Sequence, residues 1–233
     1  MHDVPAAKRR TAGKGPSAPV RAERRPERGK GADSTFFMAG AANPEQFPAA
    51  APQIAVAGRS NVGKSSLLNR LVGRHGLARV SKTPGRTQQI NFFSVAGQWV
   101  LVDLPGYGFA RVPRAVQQRW QTLVEAYLTR SRALRGAVVL VDVRRGVEPD
   151  DALLLEFLRR HQIPVVLVVT KIDKLPRGQR RFRVQDTVRA HPKLTVVACS
   201  AITGDGIAEL RAAVRNLLRD ADGPEHSSGE ATE

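Results

Sequence analysis

The run Gly58-Arg59-Ser60-Asn61-Val62-Gly63-Lys64-Ser65 constrains this chain more than any other feature. It follows a short apolar stretch, residues 54–57, and opens residues 64–72, where Leu67, Leu68 and Leu71 recur at helical spacing. The apolar stretch ending at glycine reads as a buried strand, and the leucine pattern as an amphipathic helix. Between them, Gly-x4-Gly-Lys-Ser lets the backbone turn tightly, so that successive amides point inward, and the helix start adds the positive end of its dipole. That is the chemistry of a phosphate cradle. Lys64 is expected at the β- and γ-phosphates of a nucleoside triphosphate and Ser65 at its magnesium ion.

The rest of the chain alternates in the same way. Residues 90–95 and 99–102 read as strands joined by Ala96-Gly97-Gln98, which suggests a hairpin. Residues 137–141, 165–169 and 194–198 read as further strands, and 114–129, 150–160, 178–189 and 206–218 as helices. The expectation is an α/β fold: a six-stranded, mostly parallel sheet with helices on both faces and one antiparallel strand at an edge.

Two strand ends carry chemistry. Asp103-Leu104-Pro105-Gly106 closes the third strand, placing a carboxylate for the magnesium shell and a backbone amide facing the γ-phosphate. Thr170-Lys171-Ile172-Asp173 closes a later one. Asp173 is suited to accept from N1–H and the exocyclic amine of guanine, donors adenine lacks on that edge. Lys171 lays its stem along the base. Cys199-Ser200-Ala201, at the end of the next strand, offers backbone amides to the guanine oxygen, with Cys199 read as a small buried residue. Gly85-Arg86-Thr87-Gln88-Gln89 lies between the first helix and the second strand. A hydroxyl there completes the magnesium shell only when the γ-phosphate is present, which makes the loop a switch. Thr87 is preferred to Thr83, being closer to the strand that anchors it.

Charge bears on partners. The 37 lysines and arginines outnumber the 21 acidic residues, giving a formal net charge of +16. Such an excess suits a polyanion, nucleic acid before membrane surface, although solubility alone also accounts for charge. Residues 1–35 form a basic arm too poor in large apolar side chains to fold, and residues 219–233 an acidic tail of the same kind. The helix at 178–189, with Arg180, Arg181, Arg183 and Arg189, is the candidate RNA face inside the domain. A solvated helix face is the alternative. Trp120 and Phe182 are candidate base-stacking aromatics, or core. A single cysteine excludes an internal disulfide, and no run approaches the ~20 apolar residues of a membrane helix. A cytoplasmic monomer is expected.

In order and spacing, these elements resemble translation-factor-type GTPases. More narrowly, Gly58-Arg59-Ser60-Asn61-Val62-Gly63-Lys64-Ser65-Ser66, Ser81-Lys82-Thr83-Pro84-Gly85-Arg86-Thr87-Gln88 and Asp103-Leu104-Pro105-Gly106-Tyr107-Gly108 resemble the EngB (YihA, YsxC) family of bacterial GTPases, over residues 36–218. The resemblance implies a Ras-like P-loop fold, a guanine-nucleotide switch using GTP, GDP and magnesium, a role in large ribosomal subunit assembly with ribosomal RNA as partner, and a requirement for normal division and septation. Many such GTPases place a glutamine after the Asp-x-x-Gly to orient water; here Tyr107 stands there, so slow intrinsic hydrolysis is expected. Asn61 is a candidate potassium ligand, as in related GTPases, which would join Lys64 and Thr87 in catalysis; capping the loop is its other reading. Arg86 and Arg111 sit in the expected switch segments. Two rival functions stay open: a nucleotide-gated RNA or protein binding module with incidental hydrolysis, and a direct septation factor.

Overall fold

The computed structural model describes residues 35–49, 51–74, 76–77, 89–108 and 114–220, leaving aside the side chains of residues 114, 115, 117 and 220. The chain runs β1 (Phe36–Ala41), β2 (Gln53–Gly58), α1 (Lys64–Leu71), β3 (Ile90–Val95), β4 (Trp99–Asp103), α2 (Arg114–Arg130), β5 (Leu134–Asp142), α3 (Pro149–Arg160), β6 (Val165–Thr170), α4 (Arg177–Ala190), β7 (Thr195–Ala198) and α5 (Ile207–Asp220). The strands form one sheet in the order β1-β3-β4-β2-β5-β6-β7. Strands β4, β2, β5, β6 and β7 are parallel to one another, and β3 is antiparallel to both its neighbours.

The sheet therefore has seven strands, not the expected six. The added one, β1, pairs antiparallel with β3 and forms the edge, with a register shift between Phe37 and Ala39. Its sequence, Phe-Phe-Met-Ala-Gly-Ala, has no two-residue alternation, so periodicity does not announce it. Pairing to β3 supplies its hydrogen bonds, and Phe37 meets Phe93 edge-to-face with ring centroids 5.6 Å apart.

Side-chain alternation divides the core between two faces. Ile54, Val56, Val138, Leu140, Val166 and Val168 point to one face and pack against Leu67, Leu68 and Leu71 of α1 and Leu210 and Val214 of α5. Ala55, Ala57, Ala137, Val139, Val141, Leu167 and Val169 point to the other, toward Leu123, Tyr127 and Leu128 of α2 and Leu158 of α3. In β5 every residue from Gly136 to Asp142 is buried, as expected of a central strand covered on both sides. At about 1.5–3 kcal/mol for each large aliphatic side chain removed from water, these two layers dominate stability.

Polar side chains are buried too, and one of them anchors a strand. Gln53, at the start of β2, is fully enclosed. Its Nε2 donates to Pro48 O at 2.6 Å, and its Oε1 accepts from the hydroxyls of Tyr127 at 2.9 Å and Ser131 at 3.1 Å. With both ends satisfied, it fixes where β2 begins without an unpaired polar atom.

Candidate nucleotide site

The five parallel strands end on one side of the sheet, where ligands of open α/β folds bind. Register aligns those ends: Val56 lies opposite Asp103, Gly58 opposite Leu140, and Asp142 opposite Thr170. Gly58, Asp103, Asp142, Thr170 and Cys199 thus stand at neighbouring strand termini.

The loop after β2 turns through Asn61 at φ 62° and Gly63 at φ 101°. The second value is tolerated only by glycine at low cost, so the Gly of Gly-Lys-Ser is a backbone requirement. Gly63 caps α1, and Lys64 and Ser65 are its first two residues. Lys64 Nζ forms an ion pair with Asp103 Oδ1, both side chains being largely buried. Leu104 N donates to Val56 O at 3.1 Å and Ser60 N to Tyr107 O at 2.9 Å, stitching the segment after β4 onto the loop. A Cβ built on Gly106 would lie 3.5 Å from Gly58 O and 3.6 Å from Ser60 N, so the glycine backbone abuts the loop directly.

The segments expected on the base side are tied to the same loop. Thr170 Oγ1 lies 2.8 Å from Val62 O and 3.1 Å from Val141 O. Lys171, at φ 59°, donates from Nζ to Asn61 O and stands 3.1 Å from Asp142 Oδ2. Asp173 follows in a 3-10 turn, Ile172–Lys174, and its Oδ1 accepts from Ser200 Oγ at 2.7 Å. That hydrogen bond holds the Asp173 carboxyl below its ordinary pKa, leaving it an acceptor at neutral pH. Ser200 Oγ in turn accepts from the amides of Ile202 and Thr203.

Several expected contacts come out differently. Cys199 N donates to Val169 O at 2.8 Å and Ser200 N to Asp205 O at 2.9 Å, so of the three amides at 199–201 these two are spent inside the protein, leaving that of Ala201. Cys199 is fully buried, and burial pushes its thiol up to about 12. Arg59 turns out of the loop toward α3, reaching Glu148 at 3.2 Å and Asp150 at 2.8 Å. Tyr107 Oη donates to Asp151 Oδ1 at 2.7 Å, and burial raises the phenol pKa well above its usual value. Gln89 donates to Asn91 Oδ1 at 3.2 Å and lies across Gly40 of β1. Gly85, Arg86, Thr87, Gln88, Thr83 and Arg111 lie outside the described residues.

Asp142 was not singled out from sequence. It ends an apolar strand just as Asp103 does, which was the available signal. Arg144 holds it through Nε at 2.9 Å and Nη2 at 2.6 Å. Burial pushes its carboxyl up, but Arg144 and Lys171 outweigh this and keep it well below the usual carboxylate range.

A family model described as a 50S ribosome-binding GTPase matches residues 53–171. A probable GTP-binding protein EngB of Syntrophomonas wolfei is 47% identical over 169 residues, covering 72% of this chain and 87% of the relative. The chain belongs to the EngB family of GTP-binding proteins. The EngB of Geobacillus kaustophilus is 42% identical over 182 residues, 76% of this chain and 93% of its own. A crystal structure of a probable GTP-binding protein EngB matches with TM-score 0.58 at 29% identity, over 72% of this chain and 99% of that one. Era, solved with MgGDPNP and a 16S ribosomal RNA fragment, matches in fold with TM-score 0.57 at 24% identity, over 72% and 56%. The Ras-like P-loop GTPase fold expected from the motifs is thus the fold of the chain.

Proposed function

We propose that residues 36–218 form a GTPase switch. It binds GTP with magnesium at the strand ends, hydrolyses it slowly, and acts in the cytoplasm in assembly of the large ribosomal subunit, with normal division and septation depending on that role. The single observation that carries the nucleotide reading is Lys171, whose ammonium bonds the phosphate loop while its neighbour Asp173 stands ready for a base. Base and phosphate recognition are thereby built as one unit. The ribosomal part rests on the matching family model, described as a 50S ribosome-binding GTPase, and on the +16 net charge.

The donors present fit magnesium: the Ser65 hydroxyl and the Asp103 carboxylate are hard oxygens, few enough for an ion that keeps several waters. Among the described residues no group of three or more His, Cys, Asp or Glu forms a protein cage for a metal. Held by Ser65 and Asp103, magnesium would supply positive charge against the charge developing on the phosphates. Lys64 then exchanges Asp103 for the β- and γ-phosphates. Ser65 and Asp103 would hold the ion, and the Gly106 amide would face the γ-phosphate. Thr87 would join them in the triphosphate state, a role carried by the resemblance alone. The Tyr107 hydroxyl, committed to Asp151, does not orient an attacking water. Slow intrinsic turnover follows, with a partner or a cation at Asn61 supplying the missing stabilisation.

Asp173→Asn should weaken GDP binding about a hundredfold and turn preference toward xanthosine diphosphate, measured by competition with a fluorescent nucleotide. A variant that keeps its guanine preference refutes the base site. Turnover in potassium should exceed that in sodium; equal rates remove Asn61 from catalysis. The engagement of Tyr107 also favours a second reading, in which GTP only gates partner binding. A non-hydrolysable GTP analogue separates the two, trapping an inactive complex in the first and sustaining function in the second.

A further inference from the structure

Helix α4 has no buried residue and carries five arginines against one aspartate. Of its side chains only the half-buried Val184 packs against the core, so packing accounts for little of the helix's charge pattern. Some surface arginines are paired, Arg59 with Glu148 and Asp150, Arg144 with Asp142, Arg159 and Arg160 with Glu156, whereas others, such as Arg119, Arg130, Arg132 and Arg215, are exposed without an ion pair among the described residues. In α4, among the described residues, Arg177, Arg181, Arg183 and Arg189 make no ion pair, and all four are exposed. Arg180 is different. It turns inward, donating to Leu175 O at 2.7 Å and Asp173 O at 3.4 Å, which removes it from the expected RNA face and ties the helix to the base loop.

The outward stripe has a second component. Phe182 is 60% exposed. At 100° per residue, Arg181, Phe182, Gln185 and Arg189 fall within one stripe about 100° wide, with the aromatic ring at its edge one residue on from Arg181 and Arg189 about two turns further along. Trp120, the other candidate stacking residue, is only 9% exposed. It lines a groove of about 630 Å³ with Leu104, Tyr107, Val124, Leu154 and Phe157 and is no part of this face. Unpaired cations that track a phosphate backbone, with an exposed ring beside them, are the two elements that recognise unpaired nucleic acid strands.

We propose that the outer face of α4 docks single-stranded or looped RNA, with Arg181 and Arg189 on phosphates and Phe182 stacked on a base. This deepens the ribosomal part of the proposed function. It does not depend on the guanine assignment, because Arg181, Phe182 and Arg189 are not among the residues assigned to nucleotide.

The test uses the full chain and a fluorescein-labelled mixed-sequence 12-nucleotide RNA, with its duplex and anionic phosphatidylserine vesicles as alternative probes. Fluorescent GDP binding and circular dichroism report nucleotide site and fold separately. Arg181→Glu with Arg189→Glu should weaken single-strand binding at least tenfold and reduce the salt slope by about 1.4, at ~0.7 for each phosphate no longer neutralised. Phe182→Ala should weaken it roughly 5- to 100-fold on the single strand and leave duplex binding within twofold, with Phe182→Trp restoring affinity. GDP binding should stay unchanged in all three variants. Unaltered single-strand affinity in folded, GDP-binding variants overturns the proposal. So does equal loss on duplex and single strand after Phe182→Ala, or binding to vesicles in preference to RNA.

Discussion

Asp142 shows how one carboxylate conditions a site it does not enter. It is buried to 7% exposure and stands between Arg144 and the Lys171 that spans to the phosphate loop. Truncating one member of a buried charged pair acts mainly on dissociation rates. Asp142→Asn keeps the shape but removes the charge, so GDP dissociation should accelerate about tenfold in stopped-flow displacement, equivalent to ~1.4 kcal/mol. In a Lys171→Ala background the same change should add little, since the residues act as a pair. Additive effects would mean that Asp142 does not work through Lys171. Because its folded pKa is depressed, the stability Asp142 contributes is present above the ordinary carboxylate pKa near 4 and lost as pH falls toward its folded value. At this scale the residue types were legible in the motifs, whereas their partners were not. Arg59 reads as a loop residue until α3 supplies two carboxylates for it.

At the level of elements, the turn from β7 into α5 is the most constrained junction. Gly206 sits at φ 74°, and a Cβ there would lie 1.8 Å from Ala198 O, a backbone atom that cannot yield cheaply. Gly206→Ala should therefore cost about 3 kcal/mol or more in urea denaturation. Gly178, in α4, has nothing within 4 Å of a built Cβ. Gly178→Ala should stabilise by up to ~1 kcal/mol, because helix propensity is all that changes. Similar costs at the two sites would contradict the geometry. Six strands and five helices were readable from periodicity, since alternation and leucine spacing report burial directly. Strand β1 was not, because its place depends on an edge offered by β3, from which it is far removed along the chain.

For the whole molecule, the testable property is linkage. A ligand that binds only the folded state at a hundred times its Kd adds about 2.7 kcal/mol. For a domain of this size that raises Tm by roughly 5–10 °C. GDP with magnesium should produce this shift in a thermal melt and ADP should not; equal shifts would remove the base selectivity assigned to Asp173. Among the described residues no helix is long and apolar enough to cross a membrane.

From the sequence alone came the phosphate loop, its strand-loop-helix setting and the order of the motifs along the chain. These are local properties: glycine is needed where φ is positive, as at Gly63, and apolar spacing marks a buried face. The tertiary structure alone decided who meets whom. Lys171 and Asn61 are 110 residues apart, Arg59 and Asp150 are 91 apart, and Tyr107 and Asp151 are 44 apart. Those meetings follow from the strand order, which is set by burying both faces of the sheet and cannot be read from any short window of the chain. The phenol after Gly106 looked from sequence like a poor substitute for a water-orienting amide. In the fold it is a strut between the segment after β4 and α3.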